Sequence, residues 1–100
     1  MTIVKYQIKY FSEFESDMAV IDEYLRQFHG KAVQKFHVLL KKKTAQLKQF
    51  PYSCPMYDDD PYYRQLVVGD YLVFYTVNDE DKIVEMHRVF HGSQDITRNI

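Results

Sequence analysis

Tryptophan is absent from this chain, cysteine occurs once, and glycine and proline occur three times each. Each scarcity excludes something. A lone Cys54 cannot form an internal disulfide, whereas small secreted domains commonly depend on several bridges. Three glycines and three prolines leave little for long linkers. No apolar run approaches the ~18 residues of a membrane-spanning helix. Met1 leads straight into Thr2-Ile3-Val4-Lys5-Tyr6, without the basic and then apolar pattern of a secretory leader. The expectation is a cytoplasmic protein with no membrane partner. Glycine-rich nucleotide loops and the nucleophile-elbow motif are missing too. Asp58-Asp59-Asp60 lacks the interleaved spacing of a calcium loop, and no histidine stands at a metal-ligand spacing from Cys54. Neither a metal nor a cofactor is expected.

What is present fits one globular domain spanning residues 1–100, with 46% apolar and 27% charged residues. The unusual wealth is aromatic: nine Tyr and seven Phe. Large rings help a core this small, because each buries roughly 150–250 Å².

Residues 3–11 alternate, with Val4, Tyr6, Ile8 and Tyr10 on one face and Lys5, Gln7 and Lys9 on the other. That period of two predicts a strand. Ser12 and Glu15 have capping-box spacing, and Glu13 and Glu15 suit the first turn of a helix. Phe14, Met18, Ile21, Leu25 and Phe28 form its apolar stripe, with Gly30 as the closing residue. Val33, Phe36, Leu40, Thr44, Leu47 and Phe50 form the stripe of a second helix, which Pro51 stops. Residues 51–61 read as a loop. Strands are expected at Tyr62–Val68 and Tyr71–Val77 around a Gly69-Asp70 turn, and at Lys82–Phe90 after a turn at Asn78–Asp81. The predicted class is α+β: an N-terminal strand, a helical hairpin and a three-stranded antiparallel meander. Together they make one mostly antiparallel sheet with the helices on one face.

The formal net charge is −1, which by itself points away from nucleic acid. The distribution says otherwise. Residues 31–48 carry six lysines and no acid, and the rest of the chain offsets that +6. Lys31, Lys35 and Lys42 fall on one helix flank at i, i+4 and i+11. They suit a phosphate-tracking surface or, more blandly, a solvated face.

Arg64 and Arg88 fall on strands among apolar neighbours, where each must find a partner or reach solvent. Projecting together onto an open sheet face, they would clamp a phosphate; the ordinary alternative is two structural ion pairs. His87 and His91 share strand parity, and His91 stands at the strand end with the acid/base chemistry of an imidazole. His29 and His37 read as structural. Tyr62, Tyr63, Tyr71 and Tyr75 exceed what one small core face can bury, so some are expected to line a groove.

The second half carries a resemblance. Tyr63-Arg64-Gln65-Leu66-Val67-Val68-Gly69-Asp70-Tyr71-Leu72-Val73-Phe74-Tyr75-Thr76-Val77 is similar to the central hairpin of the RelE/ParE toxin superfamily. Lys82 through Asp95, ending His91-Gly92-Ser93-Gln94-Asp95, resembles its closing strand. The resemblance implies the toxin of a type II toxin–antitoxin module (the plasmid-stabilisation family), neutralised by a cognate antitoxin protein. It further implies one of two actions. The favoured one is metal-independent, ribosome-dependent mRNA cleavage, with the ribosome and mRNA as partners. The alternative is inhibition of DNA gyrase by binding, without hydrolysis. For cleavage, the catalytic candidates are His91, Arg88 and Arg64. Lys31, Lys35, Lys42, Lys43, Lys48 and Tyr75 are the nucleic-acid-binding candidates. Many relatives carry Arg where this chain has Gln94.

Overall fold

A computed structural model describes residues 5–28 and 30–92. The elements, in order, are β1 (Gln7–Tyr10), α1 (Ser12–Arg26), α2 (Gly30–Leu47), β2 (Met56–Tyr57), β3 (Asp60–Val68), β4 (Tyr71–Asn78) and β5 (Ile83–His91). The expected class holds. The five strands form one sheet in the order β1-β5-β4-β3-β2. Only the β1–β5 pairing is parallel, so the sheet is mixed but mostly antiparallel.

The N-terminal strand is shorter than its alternation suggested; of that pattern, Val4 lies outside the described residues. The capping box does not form. Phe11 holds the cap position in extended conformation, with no side-chain cap, and Ser12 is already helical. The cause is sheet pairing: the Phe11 amide donates to the Met86 carbonyl, which holds Phe11 in extended backbone one residue past β1. The expected boundary between the helices also moves. Gln27 caps α1, and Gly30 opens α2. Helix α2 ends at Leu47, so Phe50 leaves the predicted stripe and is exposed, as is Phe28 beyond α1.

Part of the expected loop pairs as strand β2, against β3. Val68 faces Tyr71 across the predicted two-residue turn. Gly69 has φ +60 there, and Asp70 does not have a positive φ. That combination is the Gly-first turn, whose twist matches the flanking strands.

The core lies between the helical hairpin and one sheet face. Phe14, Ile21, Phe36, Leu40 and Leu47 from the helices meet Leu66, Val68, Tyr71, Val73, Tyr75, Val84, Met86 and Val89 from the sheet. Burial of such side chains at about 25 cal/mol per Å² is the main stabilising term. None of the described helices is long and apolar enough to cross a membrane.

Candidate functional site

A β-bulge decides which residues face the open side of the sheet. Pairing between β4 and β5 runs Tyr71↔His91, Leu72↔Phe90, Val73↔Val89 and Phe74↔Arg88, then jumps to Tyr75↔Met86. His87 is the extra residue. Two residues opposing one breaks the alternation of faces. His87 and Arg88 therefore both lie on the sheet face of Phe74, opposite that of core residues Tyr75 and Met86, whereas His91 stays in register with core residue Tyr71. The expectation that His87 and His91 share a face is overturned by this one-residue insertion. The His91 ring packs edge-on against Tyr71, with centroids 5.3 Å apart.

The two arginines are not brought together. Arg64 lies opposite Tyr75, whose ring is in the core, and Arg88 lies opposite Phe74 on the other face. The Arg64 guanidinium donates to the Cys54 carbonyl at 2.7 Å and the Tyr52 carbonyl at 3.4 Å, and stacks on the Tyr52 ring. It anchors the loop after α2. Arg88 donates to both oxygens of Asp17 on α1, at 2.7 and 3.0 Å. The same carboxylate accepts the Val89 amide at 3.1 Å, capping β5 where it has passed the end of β1. Asp17, by its hydrogen bonds, holds the Arg88 pKa above the usual value.

Tyr75 is no stacking platform. It is fully buried, and its hydroxyl donates to the Pro51 carbonyl at 2.9 Å. Burial drives its pKa upward. Tyr71 is buried as well. Tyr62 is exposed and Tyr63 half-buried, so the expected groove-lining role survives for these two only. The physical reason is parity: Tyr75 and Tyr71 point to the helices, whereas Tyr63 points to Phe74 and His87 on the open face.

That open face holds a cluster which the sequence reading did not single out. The Thr76 hydroxyl donates to Glu85 at 2.9 Å and lies 2.8 Å from His87 Nε2. A hydroxyl has one proton, so Nε2 must be the donor to Thr76 oxygen. Neutral His87 then carries its free lone pair on Nδ1. Rings of Phe11 and Tyr63 surround the imidazole at 4.4 and 5.3 Å, and burial lowers its pKa below 6.5. A signal was available: Glu85 and His87 flank Met86, and Thr76 is the one non-aromatic polar residue between Tyr71 and Val77.

The lysines split into two groups. Lys31, Lys35 and Lys42 share a groove with Gln34, Val38 and Leu39, as their spacing predicted. Lys48 turns to the other flank of α2, beside Lys41 and Lys5, and Lys43 is half-buried.

Comparison with known proteins places this arrangement. The family model of the ParE toxin of type II toxin–antitoxin systems matches residues 8–96. This chain belongs to the ParE toxin family. Its fold has solved counterparts. A chromosomal ParDE system from P. aeruginosa matches with a TM-score of 0.72 at 14% identity, covering 87% of this chain and 96% of that one. The RelBE2 toxin–antitoxin complex from Mycobacterium tuberculosis matches with a TM-score of 0.62 at 17% identity, covering 88% and 99%. At such identities the likeness is one of fold. No curated protein matches the chain. The sequence resemblance to RelE/ParE toxins is thus confirmed at the level of family, and this ParE-family chain is the toxin of a type II toxin–antitoxin module.

Proposed function

We propose that this toxin arrests growth by binding DNA gyrase without hydrolysing any bond, and that a cognate antitoxin neutralises it. One observation carries the choice of mechanism: Arg64 and Arg88 are on opposite sheet faces and each is held by intramolecular acceptors. RNA cleavage needs a 2′-OH held in line with its phosphate, a base, and preorganised cations for the pentavalent charge. A guanidinium already clasped by Asp17 is a poor phosphate clamp, because breaking that pair offsets the gain. His91 lies in register with the core face, away from Arg88. Gln94 supplies no charge where many relatives have arginine. The mRNA-cleavage reading therefore has the weaker support, and the ParE family match favours gyrase.

Support for the antitoxin comes from both solved counterparts, which are toxin–antitoxin systems. It also comes from the helical hairpin's outer surface. Val20, Tyr24 and Phe28 are exposed at i, i+4 and i+8, and the last two rings pack 5.0 Å apart. Such an apolar row is a place for a partner helix.

Two readouts after induced expression test the mechanism. The proposal expects an early DNA-damage response with translation initially intact, and inhibition of supercoiling by purified gyrase. Rapid translation arrest with mRNA cuts in the ribosomal A site would refute it and restore the cleavage reading.

A further inference from the structure

The two edges of the sheet are finished differently. At one edge, β2 has two residues and a broken register against β3, which blunts it. At the other, β1 pairs with β5 alone, in unbroken register, and no described strand lies beyond it. The Gln7 amide donates to the Lys82 carbonyl and the Phe11 amide to that of Met86, so Gln7, Lys9 and Phe11 direct their main-chain groups at β5. Ile8 and Tyr10, which alternate with them, direct theirs outward. The Tyr6 amide, next in the outward series, is taken by the Lys48 carbonyl. Among the described residues, the outward amides and carbonyls of Ile8 and Tyr10 have no main-chain partner.

A recess of about 570 Å³ runs along this edge. Tyr6, Ile8 and Tyr10 line it from the strand, and Lys41, Ala45 and Lys48 from α2. Alternation gives any strand added here two different faces. On the helix side it meets Tyr6 and Ile8, which pack against the core, and Tyr10, whose ring lies 5.3 Å from that of Phe14. On the other side it meets Lys5, Gln7 and Lys9. Lys5 and Lys9 make no ion pair among the described residues; the Lys9 ammonium stands 5.2 Å from the centre of the Phe11 ring. Lysine on an edge strand keeps copies of a protein apart. The antiparallel register that matches Ile8 of one copy with Tyr10 of another sets Lys9 directly against Lys9, which is destabilising. The same lysines stabilise a neighbouring strand that carries carboxylates.

We infer that the outer edge of β1 takes up an extended segment of another protein as a sixth strand, one that alternates apolar and acidic residues. Its main chain bonds Ile8 and Tyr10, its apolar side chains enter the recess, and its carboxylates stand beside Lys5 and Lys9. Strand addition at a free edge draws affinity from main-chain bonds and choice of partner from alternate side chains. The groove at Lys31, Lys35 and Lys42 offers no such main-chain groups, being the surface of one helix. The inference goes beyond gyrase binding and depends neither on it nor on the apolar row of α1.

Amide-resolved NMR of the full chain tests it with a short capped peptide alternating valine and glutamate. Saturable shifts and slowed exchange of the Ile8 and Tyr10 amides are expected, with a Kd below about 1 mM. Replacing the peptide's glutamates by lysines should weaken binding about ten-fold, and Lys5→Glu/Lys9→Glu should reverse that preference. Methylating the peptide nitrogens that face β1 should abolish binding. Ile8→Pro removes one outward amide but none of the bonds to β5, which Gln7 and Lys9 make, so it should lose the peptide while remaining folded. The methylated peptide makes the same test without altering the chain. Absence of saturation up to about 1 mM, equal binding of the methylated or the lysine peptide, or shifts centred away from Ile8 and Tyr10 overturns the inference. So does dimerisation of the free chain that Ile8→Pro abolishes, which assigns the edge to a second copy.

Discussion

Replacing Asp17 by alanine tests the contact on which the mechanism turns. The carboxylate makes two bonds to Arg88 and one to the Val89 amide, tying α1 to the last strand. Deleting one member of a fully buried ion pair costs about 3–5 kcal/mol, and of an exposed pair less than about 1. Side-chain exposures of 28% for Arg88 and 16% for Asp17 place this pair between those limits. Asp17→Ala is expected to cost about 2 kcal/mol, because it leaves both a guanidinium and an amide short of acceptors. For a domain of this size that is a fall in Tm of roughly 8–16 °C. Asp17→Asn keeps an acceptor oxygen for the Val89 amide and should cost about half as much. Urea denaturation supplies the free energies, and a cycle with Arg88→Gln isolates the pair. Amide exchange should show Val89 losing protection in Asp17→Ala. A cost within about 0.5 kcal/mol, the range of ordinary surface substitutions, would show that Arg88 is solvated and available for a phosphate, and would remove the main support for the binding mechanism.

Three further expectations follow from single contacts. Burial lowers the folded-state pKa of His87 below its ordinary 6.5, so the unfolded chain binds the extra proton. Its contribution should be absent above about pH 7.5 and increasingly destabilising as pH falls through 6.5, and His87→Gln should flatten that decline in urea midpoints measured from pH 8 to 5. Tyr75→Phe removes the donor to Pro51 from a buried site and should cost about 1–2 kcal/mol in urea denaturation, with toxicity on expression retained by the folded variant. Gly69→Ala should cost about 1 kcal/mol through its φ of +60 rather than through a clash, since an added Cβ would stand 3.6 Å from the flexible end of Leu39; an unchanged Tm would contradict this.

Local periodicity determined much of this molecule. Alternation fixed the strand character of β1, β3, β4 and β5, and the stripes through Phe14 and Ile21 and through Phe36, Leu40 and Leu47 fixed the helices and their buried faces. Gly69-Asp70 determined its own turn, because only glycine reaches that φ without strain. The spacing of Lys31, Lys35 and Lys42 placed them in one groove, since helix geometry is set by sequence separation alone. The family too was legible, in the hairpin and the closing strand. Long-range register decided the rest. An extra residue at His87 reversed the face of everything after it, so His91 parted from His87, with which it shares parity, and no residue count along β5 could show it. Arg64 and Arg88 found partners at Cys54 and Asp17, 10 and 71 positions away, and the intended clamp became two structural anchors. Strand pairing claimed the Phe11 amide and cancelled a capping box that satisfied every local rule. Each reversal has one cause: a backbone or side-chain group that local sequence left unsatisfied was satisfied by a distant segment, and only the folded chain specifies which.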